Sequence, residues 1–215
     1  MIPDNPSSVT SGTFEQTALP ATGAVTGAVT GSVTGPVTGL TRRLIHKGVK
    51  FDLDMVSGTS PSGQVFTREA IRHPGSVIIL PLVGEPGRER IVMIRNYRLA
   101  MGAWLWELPA GTMTPGEEPP VCAARELEEE TGFVAATLEP ICRFHPAPGL
   151  ADELMHAYLA RGLTPTQQSL EVDERIQVEQ MEPSRALAMV ESGDMTDAKS
   201  MMLLMLCQRR NLIRI

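Results

Sequence analysis

Three glutamates near the middle of the chain have the residue type and spacing of a metal-binding site. Glu126, Glu129 and Glu130 stand at positions i, i+3 and i+4, so on a helix their carboxylates would share one face and could reach a common ion. Carboxylate oxygens are hard ligands that suit Mg²⁺ or Mn²⁺ better than zinc. The spacing therefore indicates chemistry at a divalent cation.

The segment around these glutamates predicts the helix that this geometry needs. A window from Glu118 to Thr131 has two prolines in its first turn and Gly132 after its last residue, which are ordinary start and stop signals. Its expected apolar face consists of Val121, Ala124 and Leu127. A solvated acidic face is the alternative interpretation, but it places residues 128–130 where the helix dipole disfavours each carboxylate by roughly 0.3–1 kcal/mol. A bound cation removes that penalty, so we favour the metal site.

The longer segment from Gly111 to Phe133 resembles the signature of the Nudix hydrolases, G-x5-E-x7-R-E-U-x-E-E-x-G-U, where U is an apolar residue. Every position is filled, and a chance match to the seven single-residue positions at a given start is on the order of 10⁻⁸. The matching residues are Gly111, Glu117, Arg125, Glu126, Leu127, Glu129, Glu130, Gly132 and Phe133. The resemblance implies hydrolysis of a nucleoside diphosphate joined to another group.

The resemblance also implies roles for the residues of this signature, which we call the box. The expected ligands of Mg²⁺ or Mn²⁺ are the helix carboxylates Glu126, Glu129 and Glu130. Glu129 and Arg125 are expected in the catalytic group, and Arg125 and Glu117 should brace the loop and orient the metal-binding carboxylates. Gly111 is expected to permit a turn of the loop, and Gly132 to end the helix.

Segments on either side of the box resemble the ADP-ribose and ADP-sugar pyrophosphatases of the same family. WELPAG, directly before the box, implies that the carbonyl oxygen of Ala110 is a further metal ligand. IRNYR, further upstream, implies that Arg98 faces the substrate phosphates. The C-terminal ESGDMTDAKSMMLLML resembles the same group and supports membership, not a catalytic role.

Two more site residues follow from this resemblance. PAPGLADE, downstream of the box, contains Glu153, which we expect to be the general base, with its neighbour Asp152 as the alternative. TREAIRHPGSV contains Arg68, expected to contact substrate. In this group the first strands reach across a homodimer and help to form the partner's pocket, so a homodimer is expected as well.

The chain as a whole predicts an α/β (α+β) Nudix fold, with a mixed β-sheet packed between helices. Short β-rich runs up to residue 98 include a hairpin loop at residues 84–88. Further strands and two helical stretches, 183–192 and 197–210, follow the box helix. Alternation of strands and helices of this kind is typical of a sheet covered by helices.

Three segments are expected along the chain. Residues 1–39 contain a four-residue TGxV repeat and predict a low-complexity tail outside the fold, with a docking tail as the alternative. Residues 40–76 are expected to form a small N-terminal antiparallel β-subdomain that serves dimerisation and substrate binding. Residues 77–215 are expected to form the Nudix hydrolase domain.

The composition argues against several other classes of function. Lysine and arginine number 19 against 25 acidic residues, a net charge of −6, so there is no basic field to bind nucleic acid or an anionic membrane. No apolar run approaches the roughly 18 residues that span a bilayer. The three cysteines are widely spaced and lack a CxxC pair, which favours a reducing cytoplasm over a disulfide framework or a zinc site.

The expected activity is metal-dependent hydrolysis of the pyrophosphate in a nucleoside diphosphate sugar, ADP-ribose above all, to AMP and ribose 5-phosphate. Another nucleotide sugar, such as GDP-mannose or a UDP-sugar, is the alternative among enzymes. A non-catalytic nucleotide-sugar-binding regulator is the alternative from another class. The complete acidic box argues against the regulator, because binding alone gains little from so costly a carboxylate cluster.

Overall fold

The computed structural model describes residues 37–214, which form ten strands and three helices. The strands are β1 (Thr38–Lys47), β2 (Asp52–Thr59), β3 (Val65–Arg72), β4 (Ser76–Val83), β5 (Arg90–Arg98), β6 (Ala103–Glu107), β7 (Ala110–Thr112), β8 (Phe133–Phe144), β9 (Met155–Pro165) and β10 (Ile176–Met181). The helices are α1 (Pro119–Thr131), α2 (Pro183–Ser192) and α3 (Ala198–Arg209).

A three-stranded antiparallel sheet, in the order β1-β2-β3, opens the described chain. Strand β1 begins at Thr38, which pairs with Thr59, and a bulge before Thr41 accommodates Gly39 at a φ of +61°. Strand β1 therefore includes Thr38 and Gly39, the last two residues of the predicted tail, because pairing with a neighbouring strand outweighs weak local propensity. The rest of the predicted tail, residues 1–36, lies outside the described residues.

The larger sheet has seven strands, with the order β10-β5-β4-β9-β8, and with β6 paired to β5 and β7 paired to β4. Strand β4 lies at its centre, parallel to β9 and antiparallel to β5 and β7. Every residue of β4 before Val83 is buried, as expected for a strand covered on both faces.

Alternate side chains of β4 enter two separate apolar cores. Val77 and Ile79 pack with Cys122, Ala123 and Leu127 of α1. Ile78, Leu80 and Leu82 alternate with these two residues and pack on the opposite face, against α2 and α3. The period of two places α1 on one side of the sheet and the C-terminal helices on the other. This confirms the predicted mixed sheet packed between helices.

Helix α1 ends as predicted but is rotated relative to its predicted apolar face. Gly132 adopts a left-handed φ of 69° and donates its backbone N–H to the carbonyl of Glu128, the usual glycine cap. Val121 is 59% exposed and Ala124 is also exposed. The buried face instead includes the carboxylates of Glu126 and Glu130. No helix within residues 37–214 is long and apolar enough to cross a bilayer.

Candidate active site

The carboxylates of α1 lie against β7, the short strand that pairs with the start of β4. Glu130 is only 3% exposed, and its Oε2 accepts a hydrogen bond of 2.8 Å from the backbone N–H of Ala110. A Cβ on Gly111 would stand 1.8 Å from Cδ of Glu126. Gly111 is therefore required for the close approach of this carboxylate, and its φ is not among the positive values, so the expected turn is not the reason for glycine here.

Arg125 joins the other acidic residues of the box. Its Nε and Nη2 donate to the two carboxylate oxygens of Glu117, both at 2.9 Å. Its Nη1 donates to Glu126 Oε1 at 2.7 Å and to Glu129 Oε2 at 3.0 Å. The paired guanidinium lowers the pKa of Glu117 to about 2, with help from the backbone N–H of Thr114, and the same bonds raise the pKa of Arg125. This is the geometry that the predicted bracing of the loop requires.

The electrostatics of the buried carboxylates favour a cation. Burial raises the pKa of Glu130 well above its ordinary value, and the nearby charge of Glu126 adds to this effect. Burial also raises the pKa of Glu126, although the positive charge of Arg125 opposes the shift. Ionising both groups is costly in this setting, so a divalent cation would stabilise the form with both charges.

The donor set fits a hard divalent cation, because it consists of carboxylates and a backbone carbonyl. Glu126, Glu130 and the carbonyl of Ala110 are the groups that would hold it, with Glu129 beside them. Among residues 37–214, no three histidine, cysteine, aspartate or glutamate side chains already converge on one ion position. Glu126 and Glu129 are bound to Arg125 instead, so a metal ion would compete with this arginine for their oxygens.

Arg98, at the end of β5, lies within electrostatic reach of Glu130. Its Nε and Nη2 donate to the buried carboxylate of Glu107 at 2.7 and 2.5 Å. This bonding raises the pKa of Arg98, and the negative charge of Glu130 contributes in the same direction. Within the described chain, Nη1 has no acceptor. The side chain thus offers one charged nitrogen near the carboxylates.

Glu153 and Asp152 point in different directions. Glu153 Oε1 accepts from Ser76 Oγ at 2.6 Å, at the start of β4. Asp152 instead accepts from Arg42 Nη1 at 3.0 Å and from the backbone N–H of His73 at 2.9 Å. The structure therefore engages Asp152 with the N-terminal sheet. Over residues 37–214, no hydrogen bond or ion pair joins Glu153 to the box carboxylates.

Glu174 is a candidate site residue that the sequence reasoning did not suggest, and its Oε2 accepts a hydrogen bond of 3.0 Å from the backbone N–H of Glu171. Its charge raises the pKa of both Glu126 and Glu130, so it lies within electrostatic reach of both. It immediately precedes Arg175, whose carbonyl accepts from the backbone N–H of Tyr97 at 3.0 Å. The available signal was an acidic residue two positions before a strand, but β10 was not predicted.

The segment that carries Glu174, residues 166–175, is hydrogen-bonded at its start to the last turn of α1. Three of its groups satisfy carbonyls there: Thr166 N binds Gly132 O at 2.6 Å, Gln168 Nε2 binds Glu130 O at 2.7 Å and Ser169 N binds Glu129 O at 2.9 Å. These are carbonyls that a helix end leaves without intrahelical partners. The segment therefore runs from α1 to β5, where Arg98 lies.

Arg68 is not brought to this group within one chain. It lies exposed on β3 and donates from Nη1 to the carbonyl of Thr67 at 2.8 Å. Among the residues that the structure describes, it forms no hydrogen bond or ion pair with a box residue. Its expected contact with substrate remains a prediction.

Comparison with known proteins agrees with the geometry. Residues 72–204 match the family profile described as the NUDIX domain. The chain is 38% identical over 163 residues to the ADP-ribose pyrophosphatase of Bacillus subtilis (strain 168), covering 75% of this chain and 86% of that protein. It is 32% identical over 159 residues to the GDP-mannose pyrophosphatase of Salmonella typhimurium, covering 67% and 83%.

A solved structure shows the same fold. The crystal structure of an ADP compounds hydrolase superimposes with a TM-score of 0.65 and 22% sequence identity, covering 83% of this chain and 96% of that one. At this identity the likeness concerns the fold. The matched profile covers more than half of the chain and includes the whole acidic box. The chain therefore belongs to the Nudix family of pyrophosphohydrolases.

Proposed function

We propose that the chain hydrolyses the pyrophosphate of a nucleoside diphosphate sugar, with ADP-ribose giving AMP and ribose 5-phosphate. The observation that carries this proposal is the pair of buried carboxylates, Glu126 and Glu130, with Arg98 within electrostatic reach of Glu130. A metal cation and a positive side chain can together offset the negative charge of a pyrophosphate. The similarity to a protein named ADP-ribose pyrophosphatase supports the choice of substrate.

The chain's own groups divide the work between binding the ion and binding the phosphates. Glu126, Glu130 and the carbonyl of Ala110 would hold Mg²⁺ or Mn²⁺, with Glu129 as a further ligand. When bound, the ion would neutralise phosphate oxygens and lower the pKa of a coordinated water. Arg98 would bind a phosphate oxygen through Nη1, since its other nitrogens are held by Glu107.

Two carboxylates are candidates for accepting the proton of the attacking water. Glu153 is the residue that the loop sequence predicts, and Glu174 is favoured by its electrostatic effect on both metal-site glutamates. Changing each to glutamine removes the base and keeps the shape. The variant that lacks the true base should lose about 10²–10⁴-fold in kcat, and the other variant should lose little. Glu171→Gln, an exposed change nearby, is the control, and normal kcat in both variants would contradict both assignments.

The substrate is tested with a panel of ADP-ribose, ADP-glucose, GDP-mannose and UDP-glucose in Mg²⁺ or Mn²⁺, with products separated by chromatography. We expect ADP-ribose to have the highest kcat/KM. GDP-mannose is the second candidate, because another relative is named a GDP-mannose pyrophosphatase. Tight binding of ADP-ribose without metal-dependent turnover would favour the regulator over the enzyme.

We also propose that two copies associate through the N-terminal sheet. All ten residues of β1 are exposed, including Leu40, Leu44 and Ile45 at 42–45%, which is an unusual apolar surface to leave in water. A dimer that covers it would bring Arg68 towards the partner's site. Sedimentation velocity should give twice the mass of the chain, and Leu44→Glu should shift it to monomer.

The proposed compartment is the cytoplasm, because Cys122, Cys142 and Cys207 are free thiols.

A further inference from the structure

The carboxylate that holds Arg98 also accepts a hydrogen bond from a side chain of α3. Glu107 is 1% exposed, and its Oε2 accepts from Lys199 Nζ at 2.7 Å as well as from Arg98 Nη2 at 2.5 Å. Burial opposes ionisation of Glu107, but the bonds from Arg98 and the charge of Lys199 outweigh it and lower its pKa. Glu107 is thus an ionised group fixed between two cations.

Lys199 occupies a position that a helix does not favour for a cation. It is the second residue of α3, near the positive end of the helix dipole, where a lysine is disfavoured by roughly 0.3–1 kcal/mol. Its bond to Asp197 Oδ1 at 2.8 Å offsets part of this cost. A buried ionic cluster is also weak evidence for stability, because apolar residues of similar size often serve as well. Positioning of a neighbour explains the arrangement better than stability does.

The same turn of α3 also holds the linker that leads to the expected metal ligand Ala110. Ser200 Oγ accepts from the backbone N–H of Leu108 at 2.7 Å and donates to Asp197 Oδ2 at 2.5 Å. Leu108 stands next to Glu107 and two residues before Ala110. The first turn of α3 therefore fixes the backbone and the side chain at the end of β6.

We propose that Lys199 is a positioning residue for phosphate binding, which acts through Glu107 to hold the Arg98 guanidinium with Nη1 free for the substrate. With Lys199 present, Glu107 is bonded to α3 as well as to Arg98, and a carboxylate restrained in this way orients a guanidinium bonded through two of its nitrogens. Without Lys199, the side chains of Arg98 and Glu107 can rotate together, and Nη1 of Arg98 is no longer held in one orientation. This inference rests on the proposed function, because it assumes that Arg98 binds the pyrophosphate.

The test compares Lys199→Met, which removes the ammonium and keeps most of the stem, with Lys199→Arg, which restores a cation. Lys199→Met should raise the KM for ADP-ribose and the Kd for its α,β-methylene analogue by roughly 10-fold, as expected for one member of a coupled network. Its kcat should change less, and Lys199→Arg should recover most of the affinity. Lys50→Met is the matched control, since Lys50 is exposed and pairs with Glu171 at 3.5 Å.

A double-mutant cycle distinguishes positioning from general damage. If Lys199 acts through Arg98, then Lys199→Met should weaken analogue binding little further in an Arg98→Met background. The proposal would be overturned if the fold-changes in Kd of Lys199→Met and Arg98→Met multiplied in the double variant, or if Lys199→Met alone left the Kd unchanged. If Lys199→Met unfolds in a thermal scan, Glu107→Gln, which keeps the shape but removes the carboxylate charge that joins Lys199 to Arg98, takes its place in the same cycle. Failure of the wild type to bind the analogue or turn over the panel would instead reject the proposed function.

Discussion

Arg125→Lys tests whether the box arginine orients the metal-binding carboxylates. The guanidinium donates four hydrogen bonds to the carboxylates of Glu117, Glu126 and Glu129. A lysine ammonium is a single point with three donors and cannot reproduce the paired bonds to Glu117. We expect at least two charge-assisted bonds to be lost. Such bonds contribute roughly 1.5–3 kcal/mol each when shielded.

The Arg125 side chain is 32% exposed, so solvent reduces the loss to about 1.5–3 kcal/mol in total. That corresponds to roughly 10–150-fold in kcat/KM if the loss appears in the transition state, in line with about 10–100-fold for residues behind a metal site. The assay is kcat/KM for ADP-ribose across a Mg²⁺ titration, with a thermal scan.

Arg185→Lys is the matched control for this variant. Arg185 forms an ion pair with Glu179 at the surface, where the two side chains are 56% and 40% exposed. Such pairs contribute little, so activity and Tm should stay near those of the wild type. Unchanged kcat/KM and an unchanged Mg²⁺ midpoint in Arg125→Lys would refute the orienting role.

Three further predictions concern the box and the core beneath it. The pKa of Glu117 is lowered from its ordinary value of 4.5 to about 2, so its stabilising contribution is present above pH 4.5 and is lost as the pH falls towards 2. Acid titration followed by circular dichroism should show that Glu117→Gln lacks this loss. Gly111→Ala should abolish most turnover, because the added Cβ would displace the carboxylate of Glu126. The control Gly149→Ala, whose Cβ would meet nothing within 4 Å, should retain kcat. Equal activity in the two variants would be inconsistent with a close approach of Glu126 to Gly111. Leu127→Ala, at 0% exposure, should cost about 2–5 kcal/mol of unfolding free energy in urea, whereas Val121→Ala, at a 59% exposed position, should cost little.

Sequence reasoning performed best where local signals have a single structural meaning. The prolines and the glycine cap predicted α1, and α2 has the predicted bounds of residues 183–192. It failed on the orientation of α1, because apolar periodicity pointed to Val121 and Ala124 while the helix buries carboxylates instead. A helix that buries carboxylates breaks the rule that charged residues face water, which is expected at functional sites.

The elements that were missed depend on pairing more than on composition. Strand β7 has only three residues and β6 five, and both exist because β4 and β5 offer free edges. Missing β10 also hid Glu174, whose position depends on where residues 166–175 attach at each end. The support of Glu107 by Lys199 joins residues 92 positions apart, and no local pattern encodes such a contact.

The three-stranded N-terminal sheet should open locally more easily than the larger sheet, because it is attached to the rest of the chain in a different way. In the described chain, neither apolar core contains a side chain from β1, β2 or β3. The sheet is held to the loop before β9 by polar contacts, such as Arg42 with Asp152 and the backbone N–H of Ile71 with the carbonyl of Leu150. Its amides should therefore exchange with deuterium through a local opening that costs less than global unfolding. If a second copy covers this sheet, that protection should rise with protein concentration, while the protection of β4 should not.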